Sequence, residues 1–207
     1  MIARRGLCLV LSAPSGAGKT AITEALLASE PRLRLSVSVT TRAPRAGEVD
    51  GVHYHFLTEA AFAQAERDGE LLEWARVLQG THAYGTPRGP VEQALAAGDD
   101  IVFDIDWQGH RALRAKLPGD VLGVFVLPPS LAVLEERLRK RADNAAEIVR
   151  RMAVARDEIS HWAEFDHVVV NDDLATAVEA VRATLHAARL ATARQVGLAG
   201  FVRGLEG

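Results

Sequence analysis

Short apolar runs alternate with longer amphipathic stretches along most of the chain. Residues 7–12 are almost wholly apolar and read as a buried strand, 33–39 as a second, and 100–104, 121–127 and 167–170 as three more. Apolar positions at helical spacing cover 19–29 and about 88–97, 107–117, 130–141, 145–161 and 174–194. Strands apolar on both faces, each followed by a helix, predict an α/β fold: a parallel sheet with helices on both faces. The rhythm breaks over 40–86. There His53-Tyr54-His55-Phe56 and Leu71-Leu72-Glu73-Trp74 read as short strands around a helix near 59–68, an inserted small α+β lobe. The stretch 196–207 carries Gly197, Gly200, Gly204 and Gly207, which predicts a frayed tail.

Composition narrows the class without naming a function. The 207 residues are 48% hydrophobic and 25% charged, which excludes disordered, collagenous and coiled-coil chains. A single domain of that length buries about 70% of its unfolded surface. A formal net charge of −3 argues against a nucleic-acid coat, although a local basic pocket for small phosphates remains compatible. Cys8 is the sole cysteine, so no internal disulfide forms, and its apolar neighbours predict a small core residue. The apolar run after Arg4-Arg5 is too short for a secretory signal. No run approaches about 18 apolar residues, so the cytoplasm is the expected location and no membrane is expected as a partner. His53 and His55 alternate on a strand with no third ligand spaced nearby, so zinc is not expected.

The strongest chemical signal is Ser12-Ala13-Pro14-Ser15-Gly16-Ala17-Gly18-Lys19-Thr20. It follows an apolar strand and opens an Ala/Leu-rich helix, the setting a phosphate-binding P-loop needs. Gly16 and Gly18 allow backbone N–H groups to turn toward phosphate oxygens, and the helix N-terminus adds partial positive charge. Lys19 places a cation between transferring phosphates, and the Thr20 hydroxyl is a Mg²⁺ ligand candidate. The loop template wants glycine at position 13, where this chain has Ala13. The plainer alternative, a glycine turn with a surface lysine, does not account for the strand before and the helix after. A guanine-reading Asn-Lys-x-Asp of the GTPase kind does not occur.

Two further groups bear on a second substrate. Arg42 and Arg45 lie three apart in a Pro/Gly-rich loop, where two guanidiniums suit a dianionic phosphate and Tyr54 can add a neutral donor. By themselves the two arginines read as well as a solvated loop. Asp104 ends an apolar strand as a Walker-B-type carboxylate does, and Asp106 two residues on can point to the same side. That pair suits Mg²⁺ and substrate positioning, while Asp106 reads equally as a helix N-cap.

Taken together the motifs are specific. Residues 12–20, Thr-Thr-Arg-Ala-Pro-Arg-Ala-Gly-Glu at 40–48, Leu-Glu-Trp-Ala at 72–75, Tyr-Gly-Thr at 84–86, Asp-Ile-Asp-Trp-Gln-Gly at 104–109 and Val-Asn-Asp-Asp at 170–173 follow in one order. This set, covering nearly the whole chain, resembles the guanylate kinase family of the bacterial type, in which Ala at position 13 is a common form of the loop. The resemblance implies that Ala13 to Thr20, with Asn171 near the adenine, bind ATP. It implies that Ser38, Arg42 and Arg45 hold the GMP phosphate with Tyr54 and Tyr84, that Glu73 and Thr86 read the guanine, and that Asp106 lies at the GMP site. A carboxylate is suited to that reading, since it accepts from guanine N1–H and the exocyclic amino group together, a donor pair adenine lacks. By itself, Glu73 would pass for a surface charge before a core Trp74. Between Glu73 and Tyr84 the chain is about two residues longer than the family's usual segment.

Residues 137–141 read Arg-Leu-Arg-Lys-Arg, and Arg150-Arg151 follow. A charge run of this kind ordinarily forms a solvated face, but Arg137 and Arg141 share one helical stripe beside that of Leu134 and Leu138. The resemblance makes Arg137, Arg141 and Arg151 the arginines of a mobile lid over the ATP phosphates, catalytic together with Lys19 and Arg42. The expectation is then one guanylate-kinase-like domain on a P-loop NTPase-type sheet: core 1–36, 88–129 and 159–195, GMP-binding lobe 37–87, lid 130–158. It would move the ATP γ-phosphoryl group to GMP in purine nucleotide metabolism and GMP recycling. Mg²⁺ would be the cofactor, held by Thr20 and, through water, Asp104. ATP and GMP are the expected partners. The sequence does not fix the oligomeric state; a homodimer is one arrangement it permits. Two rivals remain open at this point: a related kinase of phosphorylated sugars, which would need no guanine reader, and a non-catalytic binding module, which would not need Lys19.

Overall fold

The computed structural model describes residues 2–77, 81–140 and 144–206. Strand β1 (Cys8–Ser12) runs through the centre of the protein and alternates between two interiors. Leu9 and Leu11 face helix α1 (Lys19–Ser29), while Cys8 and Val10 face the opposite side. Burial pushes the Cys8 thiol up to about 12, so it serves as a small apolar side chain. Strand β2 (Leu33–Leu35) follows at one edge of the same sheet.

The chain then leaves this sheet. The expected strand at 33–39 is in fact two strands, because the backbone turns away after Leu35 and Val39 begins a different sheet. Strands β3 (Val39–Thr40) and β4 (His55–Phe56), helix α2 (Glu59–Arg67), and strands β5 (Leu71–Val77) and β6 (His82–Pro87) make a four-stranded layer of order β4-β3-β6-β5. Its own small core is Val39, Phe62, Leu71 and Ala83. Strand β6 is absent from the sequence expectation. Its backbone nevertheless pairs antiparallel with β5, setting Thr86 opposite Glu73 and Tyr84 opposite Ala75. A register shift between Leu71 and Glu73 turns Trp74 outward, so the tryptophan expected in the core is instead 44% exposed.

The chain returns through helix α3 (Arg88–Ala96) to strand β7 (Asp100–Asp104), then helix α4 (Trp107–Lys116) and strand β8 (Val121–Leu127). Helices α5 (Leu131–Arg139) and α6 (Ala145–Ser160) form an arm with its own core of Leu134, Leu138, Ile148, Met152 and Ala155. Strand β9 (His167–Val170) and helix α7 (Leu174–Arg189) complete a five-stranded parallel sheet of order β2-β7-β1-β8-β9. The expected continuation of α7 to residue 194 stops at Arg189, followed by a short 3-10 turn. Nor is the tail irregular: Leu198–Glu206 form helix α8, anchored where the Gly197 N–H donates to the Ala3 carbonyl at 3.0 Å. No helix among the described residues is long and apolar enough to cross a membrane.

Charge is concentrated at the end of the sheet where the strands begin. The fully buried Asp100 carboxylate accepts two bonds from Arg4, at 2.8 and 2.9 Å, one from Arg189 and one from the Leu7 N–H. This leaves the opposite end, where the strands finish, to carry the loops. The core holds one titratable oddity. His110 on α4 is 1% exposed and stacked on Phe165 at 4.1 Å, and neither ring nitrogen has a hydrogen-bond partner among the described residues. Burial, helped by the Arg114 charge, pushes its pKa down to about 4. Because the unfolded imidazole protonates first, stability is complete above pH 6.5 and is lost as the pH falls toward 4. The loss should be on the order of 3 kcal/mol. Urea titrations of wild type and His110→Leu between pH 4 and 7.5 should show this part of the pH dependence vanishing in the variant.

Candidate functional site

The phosphate loop spans the gap between β1 and α1. Gly16 and Gly18 have φ of 93° and 102°, left-handed values that glycine adopts without strain. Gly18 is also a place of close approach: a Cβ there would come 2.1 Å from Nδ2 of Asn171. That amide donates to the Ala17 carbonyl at 2.7 Å, and Asn171 is 4% exposed. Asn171 therefore ties the loop after β9 to the phosphate loop, and the capping of α7 falls to Asp173. Leu134 and Leu138 of α5 pack over Gly16, leaving a Cβ only 3.2 and 3.3 Å of room. Loop residues Ala13 to Gly16, Gly18, Lys19 and Thr20, with Asp104 and Glu158, line a cavity of about 300 Å³. Lys19 pairs with Asp104 at the end of β7.

A second cavity, of about 440 Å³, opens between the two sheets. Ser38, Tyr54, Glu73, Trp74, Tyr84 and Asp106 line it, and so does Asp104. Glu73 accepts a 2.5 Å bond from the Thr86 hydroxyl. Burial pushes its pKa up, the Thr86 bond opposes this, and the Asp106 charge adds to it. A desolvated carboxylate with spare acceptor capacity favours a ligand that brings donors. Asp106 both lines the cavity and caps α4, accepting from the Gly109 N–H at 2.9 Å.

Beside this pocket Arg42, only 8% exposed, lies over the Tyr54 ring at 5.3 Å and donates through Nε to the Tyr84 hydroxyl at 3.3 Å. Its far edge grips Glu48 in a bidentate pair at 2.8 and 3.0 Å. Glu48 also accepts the Arg45 backbone N–H at 2.7 Å. Arg42, then the Arg45 N–H, hold the Glu48 carboxyl down to about 2. One edge of the guanidinium is thereby fixed while the other faces the tyrosines.

The structure thus brings Ser38, Tyr54, Glu73, Tyr84 and Asp106 around one pocket, and Ala13 to Gly16 with Gly18, Lys19 and Thr20 around the other, while Ala17 is buried in the core. Several expected residues stand elsewhere. The Arg45 side chain is exposed and does not line the pocket. Thr86 is fully buried behind Glu73, with its hydroxyl engaged by the carboxylate. Arg137 donates to the Asn171 carbonyl at 3.3 Å, and Arg151 pairs with Glu147 at 2.7 Å in its own helix; neither lines the phosphate-loop cavity. Arg141 lies outside the described residues, as do residues 78–80 of the lengthened segment. Three site residues were missing from the sequence reading: Glu48, Arg76, which lines the second pocket, and Glu158. The Glu at the end of the 40–48 motif was a signal available for the first. The other two look like ordinary helix and strand charges.

A glycine-lysine loop between the central parallel strand and its helix, facing a second pocket with a buried carboxylate, defines a P-loop kinase of small phosphorylated acceptors. The family model for guanylate kinase matches residues 5–188. The guanylate kinase of Gluconobacter oxydans is 65% identical over 200 residues, covering 96% of this chain and 95% of that one. That of Granulibacter bethesdensis is 59% identical over 202 residues, with 98% and 94% covered. The crystal structure of guanylate kinase from Anaplasma phagocytophilum superposes with a TM-score of 0.76 at 34% identity, covering 98% of this chain and 96% of that one. The chain belongs to the guanylate kinase family, and its activity is ATP-dependent phosphorylation of GMP to GDP. Gly18→Ala should add a methyl group where Asn171 stands and force a disfavoured φ. The expected result, read by calorimetry and ADP titration, is a folded but less stable protein, about 1–3 kcal/mol down, that no longer binds ADP measurably.

Proposed function

We propose that the phosphate-loop cavity receives ATP with Mg²⁺, and that the pocket of residues 37–87 receives GMP. The observation carrying this reading is Asp104, which pairs with Lys19 and lines both cavities. A phosphoryl group passing from one nucleotide to the other has its path there. Glu73, held by Thr86, accepts from guanine N1–H and the 2-amino group. Discrimination against adenine follows from the cost of leaving a buried carboxylate without donors. Arg42, with Tyr54, Tyr84 and Ser38, holds the GMP phosphate. The α5–α6 arm, residues 130–158, is the lid, bringing Arg137, Arg141 and Arg151 toward the ATP phosphates.

The residues present fit Mg²⁺. Thr20, Asp104 and Glu158 all line the phosphate-loop cavity, and each carries a hard oxygen donor. Among the described residues no three His, Cys, Asp or Glu side chains form a metal cluster, consistent with an ion that keeps waters and shares the nucleotide phosphates. When bound, Mg²⁺ neutralises charge on the phosphates. The acceptor is already an anionic oxygen, so the chain supplies orientation and positive charge and needs no strong base. The cytoplasm is the compartment proposed for this reaction.

A coupled ADP-release assay with GMP, AMP and ribose phosphates tests the assignment. Lys19→Met should lower turnover with GMP at least about 100-fold while the circular-dichroism spectrum stays unchanged; near-normal turnover would remove Lys19 from the reaction. Glu73→Gln should raise the KM for GMP about 10- to 100-fold and narrow the preference over AMP. Unaltered selectivity would mean that another group reads the base.

A further inference from the structure

Glu158 sits near the C-terminal end of α6 and lines the phosphate-loop cavity. Burial pushes its pKa up, and the Ser15 backbone N–H opposes this. Oε2 is sealed from solvent and has no hydrogen-bond partner among the described residues. The charged groups around it are Lys19, Asp106 and Asp157. Glu158 thus sets an acid beside the loop that would cradle phosphate. A bare nucleotide diphosphate arriving there meets like charge in a weakly screened place. A nucleotide carrying a hydrated divalent cation does not, because the cation offsets the repulsion.

We infer that Glu158 is a specificity-determining residue that makes the phosphate loop favour metal-complexed nucleotide over the bare anion. The inference rests on the reading above, that Mg²⁺ and nucleotide share this cavity. It differs from a tethering role for Glu158. A tether to Ser15 would affect bare and complexed nucleotide alike, and glutamine would preserve it through its carbonyl oxygen. Charge selection is lost in glutamine, whose amide is neutral.

Calorimetric titration of the full chain with ADP, once in EDTA and once in excess Mg²⁺, gives the ratio of the two Kd values without turnover. In wild type the ratio should lie well above one. In Glu158→Gln it should fall about tenfold, chiefly because metal-free ADP binds more tightly, while the Kd for GMP stays put. Glu158→Ala, lacking both charge and the Ser15 contact, should show the same fall in ratio even if both affinities drop. A folded variant whose ratio equals that of wild type overturns the inference and leaves the Mg²⁺ reading standing. A wild-type ratio of one overturns the Mg²⁺ reading and this inference with it.

Discussion

The turn at Gly16 and Gly18 is the constraint on which the rest depends. Left-handed backbone there turns the chain from β1 into α1, and a Cβ at either residue would be strained and crowded. The surrounding structure closes on those two positions. Asn171, delivered by the end of β9, occupies the space beside Gly18, and the α5 leucines occupy the space beside Gly16. A parallel sheet with β1 between β7 and β8 is what brings these parts to the same end of the molecule.

Opposed electrostatic designs stand on either side of Asp104. The phosphate-loop side presents glycine-rich backbone and Lys19, a cation held by a carboxylate. The acceptor side presents a desolvated carboxylate, Glu73, and an arginine whose orientation is fixed by Glu48. Fixing one edge of Arg42 leaves the guanidinium little orientational freedom to lose should an anion meet the other. Glu48 and Asp104 thus position Arg42 and Lys19 rather than oppose an anion.

The frame of the protein was legible because its strands are apolar on both faces and its helices follow at regular intervals. The P-loop was legible because glycine, lysine and threonine have no common alternative reason to follow one another between a strand and a helix. The second sheet was less so. His82-Ala83-Tyr84-Gly85-Thr86-Pro87 has no apolar alternation and contains both breakers, so β6 is specified by its partner rather than by its own pattern. The 33–39 run conceals a change of sheet at Ser36 because both halves are apolar enough for either. Arg45 and Arg42 look alike in sequence; only the Tyr54 and Tyr84 rings and Glu48 distinguish the buried one. Glu158 was invisible for the same kind of reason, as one acid among several in an amphipathic helix.

The four-stranded layer is an excursion between β2 and α3, leaving and rejoining the frame along a single edge. Glu73 belongs to that excursion, whereas the glycine turn, Lys19 and Asp104 belong to the frame. The second pocket is walled by both, since Asp104 and Asp106 line it together with Glu73. Exchanging the excursion for another of equal span would recast most of that wall while leaving the glycine turn and its lysine untouched.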